Sequence, residues 1–285
     1  MSALVQSMAT GLLLGGIYAV LAIGLDIIYG VLDLVHMAIG EFLMLAMYTT
    51  FFLYTLFGIN EFILLFVVPL IFLIVSIPCY HGVFKIMIGK PHSFHILYTA
   101  SLSIALQSAA LVLWTSIPRR MNIPYGAEAI SLGPILLNKA LVIASILAVV
   151  VTVFTFIFLF KTDLGMVIRA AISNRKLISL IGIDPHRVYL LAFSLGMVLI
   201  GLGGVLLSFY YTVSPTVGLA YTMYMWVAIV LGGPGTIKGC LLGASIIGVS
   251  QTISGLYLPV AFKDVIVLVI FVIVLVFRPK GLFRK

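Results

Sequence analysis

A chain of 285 residues that is 63% hydrophobic and only 8% charged, with a mean hydropathy of +1.30, has too little polar surface to cover a water-soluble globule. The formal net charge of +8 does not point to nucleic acid, because the cations sit between apolar runs instead of along one face. What remains is an integral membrane protein.

Apolar runs of about 20 residues, the length a helix needs to cross ~30 Å of hydrocarbon, recur along the whole chain. In order they are Leu4 to Tyr29, Phe42 to Phe57, Phe62 to Val83, Phe94 to Trp114, Ala140 to Phe160, Val188 to Phe209, a short Ala220 to Leu231, Cys240 to Ile253 and Val265 to Phe277. They predict an all-α, polytopic membrane protein with eight or nine transmembrane or re-entrant helices in one transmembrane domain over residues 1–285. No basic region precedes the first run and no small-residue cleavage site follows it, so it reads as a retained span. Cys79 and Cys240 lie in or beside apolar spans, which argues against a disulfide framework and a cysteine-based metal site.

The positive-inside rule puts Lys85, Lys90, Lys161, Arg169, Arg175, Lys176, Arg187, Arg278, Lys280, Arg284 and Lys285 on the cytoplasmic side. The N-terminus then faces outward, the C-terminus is cytoplasmic, and Thr115 to Asn138 form an external loop. Arg119 and Arg120 oppose this orientation weakly.

The helical pattern breaks twice at membrane depth, and broken backbone is tolerated there only where protein or a water-filled cavity satisfies the freed amides. One break is GVLDLVHMAIGE, Gly30 to Glu41, which carries Asp33, His36 and Glu41. The other runs from Ser214 through Gly218 to GGPGTIKG at Gly232 to Gly239. The spacing from Gly24 to Gly40 is within one residue of that from Gly201 to Gly218, a weak internal repeat of the kind that places a solute path at the repeat interface. Candidate path residues are therefore Tyr18, Asp33, His36, Met37, Gly40, Glu41, Gln107, Gly218, Trp226, Gly232 and Gly233. For His36 the competing reading is a buried imidazole bonded to a carbonyl, for Asp33 a partner to it or to a helix N-terminus, and for Glu41 a cap on the second span. Core packing competes for Trp226 and Gln107.

Between the fifth and sixth long runs lies a basic polar island, residues 161–187. Leu164, Val167, Ile168, Ala171 and Ile172 recur at helical spacing among Arg169, Asn174, Arg175 and Lys176, predicting a short amphipathic helix ended by Gly182. Asp184 followed by Pro185 is an N-cap and first-turn signature for the next span. Either a soluble partner meets this surface or the helix lies on anionic lipid.

In order, GLLLGGIYAVLAIGLDIIYG, the AxGE variant at Ala38 to Glu41, LGMVIRAA from Leu164, LIGID from Leu180, LGGPGTIKG from Leu231 and KDV…RPKGL from Lys263 resemble the permease of branched-chain amino-acid ABC importers over nearly the whole chain. The resemblance implies a multi-pass subunit of a prokaryotic inner membrane that moves a hydrophobic amino acid inward. It also implies a second, different permease subunit, two cytoplasmic ATPase subunits that bind ATP and magnesium, and a soluble extracytoplasmic binding protein. Leu164, Gly165, Arg169, Ala170, Ala171, Gly182 and Ile183 then fall in the segment that couples to an ATPase.

The family's NFAHGE-like box is altered here, with His36 in place of Asn, Met37 in place of Phe, Ile39 in place of His, and Asp33 where glycine is usual. Urea, a short amide or an aromatic acid therefore stay open as alternative solutes. The chain carries no P-loop, since GGPGTIKG lacks the GK[ST] ending, so ATP hydrolysis belongs to another polypeptide. A self-sufficient secondary transporter would need ionisable groups in its spans; Asp26, Asp33, His36 and Glu41 gather near one end. A membrane enzyme would need a catalytic or metal constellation, and His81, His92 and His95 match no known spacing.

Overall fold

The computed structural model describes residues 2–133, 135–174, 182–259, 262–278 and 281–282. The cations Arg175, Lys176, Lys280, Arg284 and Lys285 lie outside the described residues. Ten α-helices are described: α1 (Ser2–Leu32), α2 (Ile39–Phe57), α3 (Glu61–Cys79), α4 (His92–Trp114), α5 (Lys139–Lys161), α6 (Asp163–Ser173), α7 (Pro185–Ser208), α8 (Val217–Gly232), α9 (Ile237–Tyr257) and α10 (Lys263–Phe277). Seven helical segments among the described residues are long and apolar enough to cross a membrane; α8 and α10 are shorter, at 16 and 15 residues.

Local sequence explains most of the helix boundaries. The Asn60, Asn138 and Thr162 side chains accept hydrogen bonds from Phe62 N, Leu141 N and Gly165 N, and so cap α3, α5 and α6. Asp184 accepts from His186 N at 3.0 Å with Pro185 at the first helical position, as the sequence signature predicts. Past Pro78, which lacks a donor, α3 passes into a π-helical stretch, Tyr80–Phe84, and then a 3₁₀ turn, Lys85–Met87.

Two local expectations are corrected. The loop between α4 and α5 contains an antiparallel hairpin, β1 (Ala129–Leu132) and β2 (Ile135–Asn138), whose four-residue strands were too short to show an alternating pattern. Helix α6 ends at Ser173, well before Gly182, because Asn174 is already extended at φ −159°; Asn competes with helical backbone for hydrogen bonds.

The interior is built on α1 and α7, whose residues are mostly buried, while α3, α4, α5 and α10 present large apolar side chains outward. Lipid is as apolar as leucine, so close packing of small residues, not exclusion from water, must hold such helices together. Helices α1 and α7 cross antiparallel at Gly24 and Gly196. A Cβ on Gly196 would lie 2.7 Å from the Gly24 carbonyl oxygen.

The weak repeat appears as an exchange of partners. Helix α1 packs antiparallel on α9, with Gly11 and Gly15 against Gly248 and Ser245. Helix α7 packs antiparallel on α3, with Gly201 against Pro69 and Ser194 bonded to Ser76 at 2.6 Å. Within the second unit, Gly232 at the end of α8 meets Gly239 at the start of α9, closing a tight helical hairpin.

Candidate functional site

The two broken segments meet. Residues 33–38 lie between α1 and α2, and residues 209–216 between α7 and α8, so both helices that follow begin within the bundle. They cross glycine on glycine: a Cβ on Gly40 would fall 1.9 Å from the Gly218 carbonyl oxygen, and one on Gly218 would fall 2.6 Å from Gly40. No other residue type fits either position. The Thr222 hydroxyl of α8 accepts from Gly40 N at 3.0 Å and donates to the Gly218 carbonyl at 3.0 Å. Met37 N donates to the Thr99 hydroxyl of α4, whose proton goes to the His95 carbonyl at 2.7 Å. Side-chain hydroxyls from neighbouring helices thus satisfy backbone amides of the first break, as irregular backbone at this depth requires.

The second break is tied to the hairpin-bearing loop. Arg119 and Val213 pair through two backbone hydrogen bonds of 2.9 and 2.8 Å. The Arg119 guanidinium donates to the Trp114 carbonyl and lies 5.3 Å from the centre of the Phe52 ring, so this cation serves the local fold of that end.

The predicted path residues divide among several places. Asp33, at φ 55°, faces His92 Nε2 at 3.2 Å and not His36. His36 is fully buried between the rings of Phe42 and Phe84, 5.6 and 4.6 Å away, and neither ring nitrogen has a hydrogen-bond partner among the described residues. The Glu41 carboxyl group is fully buried beside Ser103 of α4 without a closed hydrogen bond, and the N-cap position of α2 is Ala38. Met37 and Gln107 are half-buried. Tyr18 donates to Gln251 Oε1 of α9 at 2.9 Å within a cluster of tyrosines. Trp226 meets Tyr29 edge to face at 5.3 Å. Gly232 packs on Gly239, and Gly233, at φ 95°, turns the chain out of α8.

Asp26, Asp33, His36 and Glu41, grouped near one end of the sequence, sit against different neighbours. Asp26 accepts from Gly235 N at 2.8 Å, joining α1 to the α8–α9 turn, a contact the sequence reading missed although a lone acid inside a span was its signal. His95 Nε2 bonds the Met87 carbonyl at 2.8 Å, and among the described residues no group of three or more His, Cys, Asp or Glu could hold a metal ion.

Helix α6 lies across the end of the bundle where α1 and α5 finish and α9 begins. Leu164 and Met166 are exposed, Ala170 is half-buried, and Gly165, Ile168 and Ala171 are buried. Gly165 packs so closely on the end of α5 that a Cβ would sit 2.4 Å from the Phe158 carbonyl oxygen. Arg169 stacks over Phe160 at 4.6 Å and borders a cleft of about 640 Å³ shared with Asp26 and the Gly235–Lys238 turn. Ile172 reaches into the spaces left by Gly30 and Gly235. Gly182 adopts φ 77° with open space around its Cβ position, and Ile183 is half-buried.

Comparison with known proteins adds independent information. A family model described as branched-chain amino acid transport system / permease component matches residues 7–275. The chain is 30% identical to the high-affinity branched-chain amino acid transport system permease protein LivH of Escherichia coli, over 98% of this chain and 95% of that protein. It is 29% identical to LivH of Salmonella typhimurium over the same shares, and 26% identical to the corresponding permease protein BraD of Pseudomonas aeruginosa, again over 98% and 95%. No solved structure matches the chain.

Proposed function

The chain belongs to the family of permease components of branched-chain amino acid transport systems, and from that premise we propose that it forms half of a heterodimeric pathway importing a branched-chain or other hydrophobic amino acid. It is a multi-pass membrane permease subunit. In the proposed assembly a second permease completes the path, a soluble binding protein delivers solute from outside, and two cytoplasmic ATPases carry ATP and magnesium. The observation that carries the proposal is the likeness to named amino-acid permeases along 98% of the chain.

The orientation proposed has the N-terminus outside and the C-terminus inside a prokaryotic inner membrane. Lys161, Arg169, Arg187 and Lys238 surround the α6 end of the bundle, which supports that end as cytoplasmic. Helix α6 then offers an ATPase the exposed face of Leu164 and Met166, with Arg169 turned onto Phe160 and contributing at the edge. The domain assignment follows: one permease domain over residues 1–285 with its coupling segment at 161–187. Path residues are drawn from the two breaks that meet at Gly40 and Gly218, since that crossing has two glycine-lined helix starts able to move against each other.

Purification through a tag on the C-terminus tests the assembly, and ATP-driven uptake of labelled leucine, isoleucine and valine by the reconstituted complex tests the solute. Cysteines at Leu164 and Met166 are expected to crosslink to an ATPase, and a cysteine at buried Ala171 is not. A lone chain that transports on an ion gradient would overturn the proposal, as would uptake of urea or an aromatic acid with none of the three amino acids.

A further inference from the structure

Resting on that reading, we propose that a tyrosine cage between α1, α8 and α9 is where this subunit holds the polar end of the amino acid during passage. Tyr18, Tyr221 and Tyr224 come from two helices and enclose one point: Tyr18 lies 5.8 Å from Tyr221 at 70°, 5.6 Å from Tyr224 at 32°, and Tyr221 lies 5.6 Å from Tyr224 at 84°. Each residue is about 95% buried. Tyr18 and Tyr224 are tilted face to face and both meet Tyr221 edge to face, so the rings fill one another's faces in this conformation; once they part, those electron-rich faces suit an ammonium group or an alkyl chain and repel a bare anion.

Polar atoms are arranged around those rings. The Tyr18 hydroxyl donates to Gln251 Oε1 at 2.9 Å, and the Tyr224 hydroxyl donates to Asp264 Oδ1 at the start of α10 at 2.5 Å. Gln251 is 7% exposed, and its Nε2 sits beside the Tyr224 hydroxyl without closing a hydrogen bond. An amide donor left without an acceptor inside a bundle costs free energy unless something else supplies that acceptor. A zwitterion does: its carboxylate oxygen accepts from Gln251 Nε2 while its ammonium lies against the ring faces, with the Asp264 carboxylate at the edge. The side chain then lies toward the methionine-rich body of α8. Four elements must stay together to keep this arrangement, and in the conformation seen the rings close on one another. Solute enters when α8 shifts away from α1, pivoting on its glycine crossing with α2 at Gly40 and Gly218.

The complete importer in proteoliposomes, with partner permease, ATPases and binding protein, provides the test. Uptake of labelled leucine by the wild type sustains the proposed function, and its absence for leucine, isoleucine and valine removes both that function and the amino-acid ligand. Given wild-type uptake, Tyr224→Leu, which removes one ring face, and Gln251→Leu, which removes the amide, are each expected to slow transport about tenfold at saturating loaded binding protein, the size of one lost cation–π contact or hydrogen bond. Each change also breaks a bond that the fold holds, Tyr224 to Asp264 or Tyr18 to Gln251, so the thermal midpoint should fall by several degrees while the complex still assembles. Ser194→Ala, which breaks the buried bond to Ser76 between α3 and α7, is the control for such a loss and should transport within twofold of wild type; equal slowing there would make the effect structural and overturn the cage. Uptake within twofold of wild type in both variants overturns the cage while leaving the proposed function intact. Should Gln251→Leu fail to assemble, Gln251→Met, of similar length and without the amide, decides in its place.

Discussion

Replacing Gly40 by alanine adds one methyl group at the point where α2 and α8 cross. That methyl would lie 1.9 Å from the Gly218 carbonyl oxygen, 2.2 Å from Thr222 Oγ1 and 2.6 Å from the Gly218 carbonyl carbon. Reaching ordinary contact requires the helices to part by about 1.5 Å, since unstrained contacts begin near 3.4 Å. Two of the three obstructing atoms belong to backbone, so no rotamer change relieves the clash. Parting also stretches the 3.0 Å bond from Gly40 N to Thr222 beyond hydrogen-bonding range. Overpacking of this kind costs about 1–3 kcal/mol, and the lost bond adds about 1 kcal/mol. Gly255→Ala provides the control, because nothing lies within 4 Å of its Cβ position and α9 gains up to about 1 kcal/mol of helix propensity. The assay is thermal unfolding of the purified chain in detergent, followed by uptake in the reconstituted importer. Gly40→Ala should lower the midpoint by several degrees and impair uptake, with Gly255→Ala unchanged or slightly raised. Equal midpoints for Gly40→Ala and wild type would refute the close crossing and, with it, the meeting of the two breaks.

Asp26→Leu removes the acceptor for Gly235 N and should cost about 1–3 kcal/mol in thermal unfolding, whereas Asp26→Asn, which keeps an acceptor oxygen, should cost under about half of that. His36→Leu deletes two buried nitrogens with no partner among the described residues, so the midpoint should hold or rise by an amount equivalent to about 1 kcal/mol; a clear drop would reveal a hydrogen bond to the imidazole. Gly182→Val forces a β-branched residue into φ 77°, at about 1–2 kcal/mol of local strain, and should leave insertion intact while loosening ATP hydrolysis from transport; normal coupling would make that glycine incidental.

Composition and run length alone determined the membrane class and the positions of the long helices, because crossing hydrocarbon demands about 20 apolar residues whatever they pack against. Capping chemistry is equally local, so Asp184 and Pro185 marked the start of α7 from sequence. The two breaks were legible for the same reason, since glycine, proline and charge interrupt apolar periodicity within a few residues. Their meeting was not legible: Gly40 and Gly218 stand 178 positions apart, and tertiary packing, in which α2 seats Ala46 on Gly204 of α7 and Gly40 on Gly218 of α8, brings them together. The orientation of individual polar side chains was likewise a tertiary matter. His36 and Asp33 are three residues apart, yet one turns into a phenylalanine box and the other toward His92. Gln251 and Tyr224 looked like ordinary helix residues, because a hydrogen-bonding group in a span reveals its role only through the neighbours that other helices place beside it. Helix α6 shows both sides at once. Its amphipathic spacing located it, but which of its residues turned inward was decided by the end of α5, against which Gly165 and Arg169 are seated.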